Sequence, residues 1–548
     1  MRNRAYLSRR IKRHHPQRGS WNLPVSQKKS IQPAIFDLVF LTWGLVIPLV
    51  FYGRLVNGDG DLPRHLRLGS YMLEHRALVR EDFFSWTKAG QPFVAFEWLS
   101  EVVYASVYGL GGLAGVAIFA GLLLAFTYAL VTRFLLRRGV DPFLAYCTGT
   151  IAAVLGGVHW LARPHLVTFL AVVLLLFLLE RERPAKLWVY GLLFAVWANL
   201  HGGFFFGLVL IGIYLMGALA EAVSPADRTT WLGWAKHYGL ALLVGALVTV
   251  INPNGLGLPA HVIGFFGEGY LTDVTNEFMS PNFHTWTGKI FLGAMLLTVA
   301  GLALSRKRPA YPRLFLILAS IAFSLIAQRN MALFGLTALA VLALHINPEW
   351  RRLPGIGGIR AVFERDEHRR RSGPWALGLT VLFIVVALNR GSIGSLTVVP
   401  NAFDPQVFPV AAVEKARREG VAGHLFHEFI WGGYLLLEWP EQRVFIDGGT
   451  DYYGTELYKE FIETITLTPG WRDKLNDRKV SLALLGTGSP LAHELARDSA
   501  WGVRYCDDNA VLLQRGYPPS GNRGSGSRAE WHTLWACYEE SRADGGGK

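Results

Sequence analysis

The stretch Asn57–Trp98 reads NGDGDLPRHLRLGSYMLEHRALVREDFFSWTKAGQPFVAFEW and separates the first long apolar run of the chain from the second. Two acids, Asp59 and Asp61, stand one residue apart near its start. A connection of roughly 40 residues is longer than two neighbouring helices require, and such connections are usually functional or disordered. Trp86 and Trp98 argue against disorder, because disordered segments are poor in aromatic residues. We therefore predict an ordered loop that carries a function.

The composition around this loop is typical of a membrane protein. Of the 548 residues, 51% are hydrophobic and 17% are charged, and the mean hydropathy is +0.28. The apolar residues are collected in runs that are long enough, or nearly long enough, to cross a bilayer. We predict a polytopic α-helical membrane protein with about eleven transmembrane helices. The runs begin near Ile35, Leu113, Phe143, Leu166, Leu187, Phe204, Tyr238, Ile290, Leu314, Met331 and Trp375. Trp98–Tyr108 is shorter and is predicted to lie on the outer face or to form a re-entrant segment.

Basic residues determine the predicted topology. The net charge of +13 would suit a nucleic-acid partner. However, Lys and Arg concentrate in the N-terminal tail and in alternate loops, which is the positive-inside pattern of a membrane protein, and no nucleic-acid partner is expected. We therefore predict a multi-pass plasma (inner) membrane protein with residues 1–33 as a basic cytoplasmic tail. The loop 54–98 and the part after the last span are predicted to be extracytoplasmic.

The chain is predicted to change character after the last apolar run. We expect residues 34–392 to form the membrane domain, residues 393–515 a soluble α/β domain on the outer face, and residues 516–548 a disordered tail. VSLALLGTG predicts a strand, and the sequence around Asp508–Asn509 predicts a hairpin turn.

Two glycine pairs in the soluble domain, Gly432–Gly433 and Gly448–Gly449, do not fit the dinucleotide-binding pattern G-x-G-x-x-G. The nearby Asp447 and Asp451 are interpreted as turn residues in preference to metal ligands. We therefore assign this domain a recognition or packing role.

The three cysteines do not form a disulfide framework. Cys147 lies in an apolar run, whereas Cys506 and Cys537 can pair only if both face an oxidising compartment. Their spacing does not match a metal site.

Several polar motifs are predicted to meet at the outer face. The alternation of the spans places them there together with the loop 54–98. Polar side chains at membrane depth are costly and normally face a cavity or a partner, so we predict a shared pocket. The motifs are HWLARPH (159–165), ANLHGG (198–203), NPNG (252–255), NEFMSPNFH (276–284) and AQRN (327–330).

These motifs, taken in order, resemble the GT-C superfamily of integral-membrane glycosyltransferases, in particular an uncharacterised bacterial branch with a C-terminal soluble domain. The resemblance covers most of the chain from Asp59 to Arg515, and it implies a polyprenyl-phosphate-linked sugar donor and chemistry on the outer face. The chain departs from the best-studied members in its D-G-D spacing, followed by Pro63-Arg64-His65. The matching stretches are GDGDLPRHLRLGSYML, EDFFSWTKAGQPFVAFEWLSEV, ARPHL, NLHGGFFFG, INPNG, NEFMSPNF, AQRNMALF, WGGYLL and VFIDGGTDYYG.

Asp59 or Asp61 is the predicted catalytic base, because sugar transfer to a hydroxyl needs a carboxylate that accepts its proton. Gly60 between them allows a bend that points both carboxylates one way. The alternative is that the three residues only form a turn, which Asp and Gly favour. The two carboxylates also supply hard oxygen donors of the kind that a divalent-cation site needs, although the sequence requires no cofactor.

Arg163 and Arg329 are candidates for neutralising the departing lipid phosphate, a task that suits a planar guanidinium. The alternative is that both side chains extend towards lipid headgroups. Arg64 and His65 are predicted to serve either the donor phosphate or the order of the loop.

The remaining pocket candidates each have an ordinary structural explanation as well. Glu97 either positions the acceptor or is an acid at a helix start, and Glu277 poses the same choice. His201 either lines the pocket or caps a helix. His165 follows Arg163 at the outer end of a span.

The sequence thus predicts a membrane glycosyltransferase that moves a sugar from a polyprenyl-phosphate donor to an acceptor outside the membrane. One alternative is a transporter or flippase of a lipid-linked saccharide, although the sequence shows no internal repeat of the kind common in transporters. A second alternative is a non-catalytic assembly protein with the same fold.

Overall fold

Apolar helices make up most of the protein. The computed structural model describes residues 32–265, 269–365, 367, 370 and 372–517. Most of the predicted basic tail and of the predicted disordered tail lies outside these residues, and so does Cys537. The helices of this first part are α1 (Ile35–Val50), α2 (Tyr52–Asn57), α3 (Asp61–His75), α4 (Trp98–Arg137), α5 (Pro142–Gly156), α6 (His165–Leu179), α7 (Leu187–Leu200), α8 (Phe204–Glu221), α9 (Arg228–Val248), α10 (Gly257–Phe265), α11 (Gly269–Val274), α12 (Trp286–Leu304), α13 (Tyr311–Ile326), α14 (Met331–Leu336), α15 (Ala338–Trp350), α16 (Gly357–Glu364) and α17 (Pro374–Leu388).

Every predicted apolar run contains or adjoins one of these helices. Within the described residues, five helical segments are long and apolar enough to cross a membrane, and several shorter apolar helices accompany them. The five are Trp98–Arg137, Pro142–His159, Phe204–Glu221, Trp286–Leu304 and Gln328–Trp350. The prediction of a mainly helical membrane protein is confirmed, whereas the number of spans stays a prediction.

Helix α4 organises the packing of the membrane part. Its first turns are the segment Trp98–Tyr108, which continues into the apolar part across a break at Gly112 (φ 62°, ψ −157°). Only glycine adopts this conformation without strain. Asn401 accepts the Ala114 backbone N–H at 3.1 Å, so the break keeps a hydrogen bond. The segment Trp98–Tyr108, which the sequence predicted to be separate from the spans, is therefore the start of a long broken helix.

The predicted functional loop contains helix α3, which lies against the start of α4. The contact is close at Gly69, where a Cβ atom would lie 2.0 Å from the backbone oxygen of Glu101. Leu62, Leu66 and Met72 are buried on α3, as expected for an amphipathic helix that covers the core. The acidic first turn of α3 is thereby held over the ends of the membrane helices.

The C-terminal part contains a small mixed sheet, as predicted. Its central strand LALLG is buried through its first four residues, which is typical of a strand covered on both faces. The elements are β1 (Ser392–Ile393), β2 (Leu396–Thr397), α18 (Val410–Arg418), β3 (Leu425–His427), α19 (Gly432–Glu438), α20 (Thr450–Ile465), α21 (Trp471–Asp477), β4 (Leu482–Gly486), α22 (Pro490–Arg497), β5 (Trp501–Cys506) and β6 (Ala510–Arg515). The strand order is β3-β4-β6-β5, with β3 parallel to β4 and the other pairs antiparallel.

The first loop and the C-terminal part are joined by backbone hydrogen bonds. Val444 donates to the Phe84 oxygen at 3.1 Å and accepts from the Trp86 N–H at 3.1 Å. The Trp86 indole donates to the Leu425 oxygen in β3 at 3.1 Å. The segment 444–446, just before Asp447, therefore runs alongside the first loop at Phe84 and Trp86.

Candidate active site

The acidic pair lies at the first turn of α3. The Asp61 backbone N–H donates to Asp59 Oδ1 at 3.1 Å, which is the hydrogen bond of a tight turn. Gly60 between them is pressed against the C-terminal part, because a Cβ atom there would lie 2.1 Å from the Ile430 oxygen. The opposite contact is equally close, since a Cβ atom on Gly433 would lie 2.0 Å from the Gly60 oxygen. The two aspartates that are candidates for catalysis therefore also form a tight turn.

Arg163 lies at the centre of three carboxylates. Its Nη1 atom lies 2.7 Å from Asp59 Oδ2 and 3.0 Å from Asp61 Oδ2. The same nitrogen lies 3.0 Å from Glu277 Oε1. The Tyr104 hydroxyl donates to the Arg163 backbone oxygen at 3.0 Å and holds this loop between α5 and α6 in place. We call Asp59, Asp61, Arg163, Glu277 and Arg329 the carboxylate cluster.

Arg329 approaches the cluster from the other side of Glu277. Its Nη1 atom lies 3.7 Å from Glu277 Oε2, and its guanidinium stacks over the Phe278 ring at 4.8 Å. His159 Nδ1 lies 3.9 Å from Glu277 Oε1. Glu277 therefore bridges the two arginines, and Arg329 has the weaker carboxylate contact of the two.

Burial and charge act in opposite directions on the pKa values of this cluster. Burial raises the pKa of Asp61, and Arg163 offsets part of that effect. Burial also works against ionised Glu277, but Arg163, His159 and Arg329 together lower its pKa to about 2. The carboxylates raise the pKa of Arg163 despite its burial. Glu277 is thus held as an anion, whereas Asp61, with its raised pKa, accepts a proton more easily than Glu277 does.

A second group of titratable side chains adjoins the carboxylate cluster. His65 lies one turn after Asp61 on α3, and its Nδ1 atom lies 3.2 Å from Glu101 Oε1 and 3.8 Å from Glu97 Oε2. His201 Nε2 lies 3.3 Å from Glu97 Oε1. We call His65, Glu97 and Glu101 the His–Glu cluster.

The pKa values in this second group also depart from their usual range. Burial raises the pKa of Glu97 to about 7. His65 is buried too, but its hydrogen bond to Glu101 and the nearby Glu97 raise its pKa. Burial, together with Arg329 and Arg163, lowers the pKa of His201 well below its usual range. His201 is therefore the neutral imidazole of the group.

Two predicted residues lie outside both groups. The ring of His165 packs 4.1 Å from that of His159, and its Nε2 atom lies 3.0 Å from the His159 oxygen. Arg64 points away towards the C-terminal part, where its Nε atom lies 3.0 Å from Asp447 Oδ1, and both side chains are buried. Of the two roles predicted for Arg64, this contact with Asp447 supports the one in which Arg64 keeps the first loop ordered.

Several residues of this region were missed or given a smaller role by the sequence. Glu101 and His159 lie inside quoted motifs but were not singled out as site residues, although Glu97 and Glu101 stand at the i, i+4 spacing of one helical face. Asp447 was interpreted as a turn residue and is the buried partner of Arg64. Gly448 contacts Asp61 directly, because a Cβ atom there would lie 1.6 Å from Asp61 Oδ1.

The acidic pair does not fit the divalent cation considered for it. Arg163 Nη1 stands 2.7 Å from Asp59 Oδ2 and 3.0 Å from Asp61 Oδ2, which is the position that a cation shared by these carboxylates would take. A guanidinium already supplies the positive charge between them.

No protein-family profile and no curated protein matches the sequence. Solved structures do match. One is the archaeal oligosaccharyltransferase AglB from Archaeoglobus fulgidus in complex with an inhibitory peptide and a dolichol-phosphate, with TM-score 0.53 and 12% identity over 83% of this chain and 69% of that chain. Another is the Archaeoglobus fulgidus oligosaccharyltransferase in the apo form, with TM-score 0.52 and 11% identity over 89% of this chain and 74% of that chain. The chain therefore shares its fold with solved oligosaccharyltransferase structures, which agrees with the fold that the sequence resemblance implied.

Proposed function

We propose that this protein is a membrane glycosyltransferase that transfers a sugar from a polyprenyl-phosphate donor to an acceptor outside the membrane. The observation that carries the proposal is the convergence of Asp59, Asp61 and Glu277 on Arg163, beside Arg329, in a chain with the GT-C fold. The dolichol-phosphate bound by the similar AglB structure supports a lipid-phosphate donor. Fold alone does not establish activity, so the residues of the cluster must carry the argument.

Asp61 is proposed as the base, with Asp59 as the neighbouring carboxylate that shares its contact with Arg163. In the reaction, an acceptor oxygen attacks the anomeric carbon, the bond from that carbon to the donor phosphate breaks, and the carboxylate takes the acceptor proton. Asp61 suits this task because burial raises its pKa. Arg163 contacts both aspartates and keeps their carboxylates aimed at one place.

Arg163 and Arg329 are proposed to have different roles. Arg163 already contacts three carboxylates, so its first task is to hold them. Arg329 lies 3.7 Å from a single carboxylate oxygen and is the better candidate for the departing lipid phosphate. A planar guanidinium binds phosphate oxygens through two parallel hydrogen bonds.

The topology proposed with this function has about eleven spans, a cytoplasmic N-terminus, and both the loop 54–98 and the domain 393–515 outside. The alternating Lys and Arg loops support this orientation. The donor lipid then reaches the carboxylate cluster from the outer leaflet.

The decisive experiment is a transfer assay in membranes with polyprenyl-phosphate sugars, guided by mass analysis of the surface glycans and lipid-linked sugars of a deletion strain. Asp61→Asn should lower the rate by about 100- to 10,000-fold, since Asn keeps the shape but cannot accept the proton. Glu74→Gln is the matched control, because Glu74 lies on the same helix with a side chain 60% exposed.

Three outcomes would contradict the proposal. Full activity of both Asp59→Asn and Asp61→Asn would leave the acidic pair as a turn only. Movement of a lipid-linked saccharide across the membrane without cleavage of the phosphate–sugar bond would identify a flippase. An unchanged set of glycans and lipid-linked sugars in the deletion strain would point to a non-catalytic role.

A further inference from the structure

The His–Glu cluster adjoins the carboxylate cluster but shares no residue with it, and its side chains have no role in the proposed transfer. We propose that His65, Glu97 and Glu101 bind one divalent transition-metal ion of the Zn²⁺ class. One imidazole and two carboxylates form a ligand set that Zn²⁺ accepts, with a position left for water or another ligand.

The distances between the three side chains suit a single ion. His65 Nδ1, one carboxylate oxygen of Glu97 and one of Glu101 all lie within 4.8 Å of one another. His65 Nδ1 lies 3.2 Å from Glu101 Oε1 and 3.8 Å from Glu97 Oε2. Ligand atoms about 2.0–2.1 Å from a tetrahedral ion are separated by roughly 3.3 Å, so small side-chain shifts bring all three into coordination.

Glu101 also brings a buried oxygen without a hydrogen-bond partner to the site. The side chain of Glu101 is only 4% exposed, and its Oε2 atom has no hydrogen-bond partner. A buried carboxylate oxygen without a partner is costly, and a second buried carboxylate, Glu97, lies beside it. A cation that binds Glu101 and Glu97 together removes both costs.

A neighbouring histidine, His201, orients one of the proposed ligands. The His201 Nδ1 atom accepts the Gly203 backbone N–H at 2.9 Å, so Nε2 is a ring nitrogen that carries a proton. That nitrogen lies 3.3 Å from Glu97 Oε1 and leaves Oε2 on the side of His65. Metal ligands are commonly oriented by such outer contacts.

The proposed ion connects two helices, and His201 links a third element to the site through its contact with Glu97. His65 lies on α3, Glu97 and Glu101 lie at the start of α4, and His201 follows α7. Asp61 lies one turn before His65 on α3. The ion would therefore fix the helix whose first turn carries the acidic pair, without touching that pair.

The test is metal binding by the full-length protein in detergent after treatment with a chelator and addition of Zn²⁺ alone. Elemental analysis should find one Zn²⁺ per chain, and Zn²⁺ should raise the unfolding temperature, since a ligand that binds only the folded state stabilises it. Glu101→Gln and His65→Gln should each weaken Zn²⁺ binding by at least about tenfold.

Controls separate this site from the carboxylate cluster. Glu74→Gln and Asp59→Asn should bind Zn²⁺ as the unchanged protein does. Zn²⁺ bound equally by Glu101→Gln, or lost on Asp59→Asn, would overturn the proposed ligands. An unchanged protein that binds no Zn²⁺ and shows no thermal shift would also overturn the inference, leaving a hydrogen-bonded network. Because the assay contains no sugar donor, its result does not depend on the proposed transfer activity.

Discussion

Asp59 and Asp61 share one arginine but differ in what surrounds them. Asp59 Oδ1 accepts the Asp61 backbone N–H, whereas Asp61 faces Gly448 of the C-terminal part. Burial and the neighbouring charge of Asp59 raise the pKa of Asp61 against the effect of Arg163. An acid–base assignment follows from such a difference in surroundings.

The rate of transfer should therefore depend on pH through Asp61. As a base it must be ionised, so kcat/KM should fall as pH drops through its pKa, and the acid limb should lie above the ordinary value of 3.8. Assays of the unchanged protein across the acidic range test this. The residual rate of Asp61→Asn should lack this limb. A limb that persists in Asp61→Asn would assign the titration to another group.

Glu277 is predicted to stabilise the fold as an anion. Its pKa falls from 4.5 to about 2 in the folded protein, which corresponds to about 3 kcal/mol of stability as an upper bound. Because the folded pKa is the lower one, this stability is present above pH 4.5 and is lost as pH falls towards 2.

Thermal unfolding in detergent measures this effect. Glu277→Gln should unfold at a lower temperature than the unchanged protein at pH 7, because Arg163 and Arg329 lose their shared anion. The difference should shrink at pH 3. Equal unfolding temperatures at pH 7 would show that the two arginines do not depend on Glu277.

At the scale of elements, helix α3 depends on the C-terminal part for its position. Helix α19 approaches it so closely that a Cβ atom on Gly433 would lie 2.0 Å from the Gly60 oxygen. Arg64 on α3 reaches Asp447 beyond α19. The C-terminal part therefore supports the acidic turn.

Gly433→Ala should reduce transfer strongly, by tenfold or more as an order of magnitude, because two backbones must separate and Asp61 moves with them. Gly488→Ala is the matched control, since Gly488 is exposed and a Cβ atom there meets nothing within 4 Å. Transfer rates of the two variants, with size-exclusion profiles as a check on folding, give the answer. Equal rates would mean that the contact at Gly60 does not position the acidic pair.

The elements show which features a sequence can predict. The helices follow from apolar runs, because the bilayer imposes length and composition locally. The strand β4 and the turn before β6 also have local patterns. The break at Gly112, filled by Asn401, depends on a contact between distant segments and could not be predicted. The same is true of the bridge between Ser85 and Val444.

At the scale of the whole molecule, residues from four separate segments form the carboxylate cluster. The cost of polar groups at membrane depth predicted that these segments would share a pocket. This cost does not determine which groups touch. Only the structure shows that three carboxylates contact Arg163 and that Arg64 lies apart from them.

The proposed chemistry requires the carboxylate cluster to lie at the outer face of the membrane. Cysteine labelling can test this location. Ala89 and Gly488 are exposed in the first loop and the C-terminal part, and Arg183 is exposed in a loop predicted to be inside. A membrane-impermeant thiol reagent should label Ala89→Cys and Gly488→Cys in intact cells, and Arg183→Cys only after permeabilisation. The unsubstituted protein gives the background from its own cysteines. The reverse pattern would place the carboxylate cluster in the cytoplasm, where a donor in the outer leaflet could not reach it.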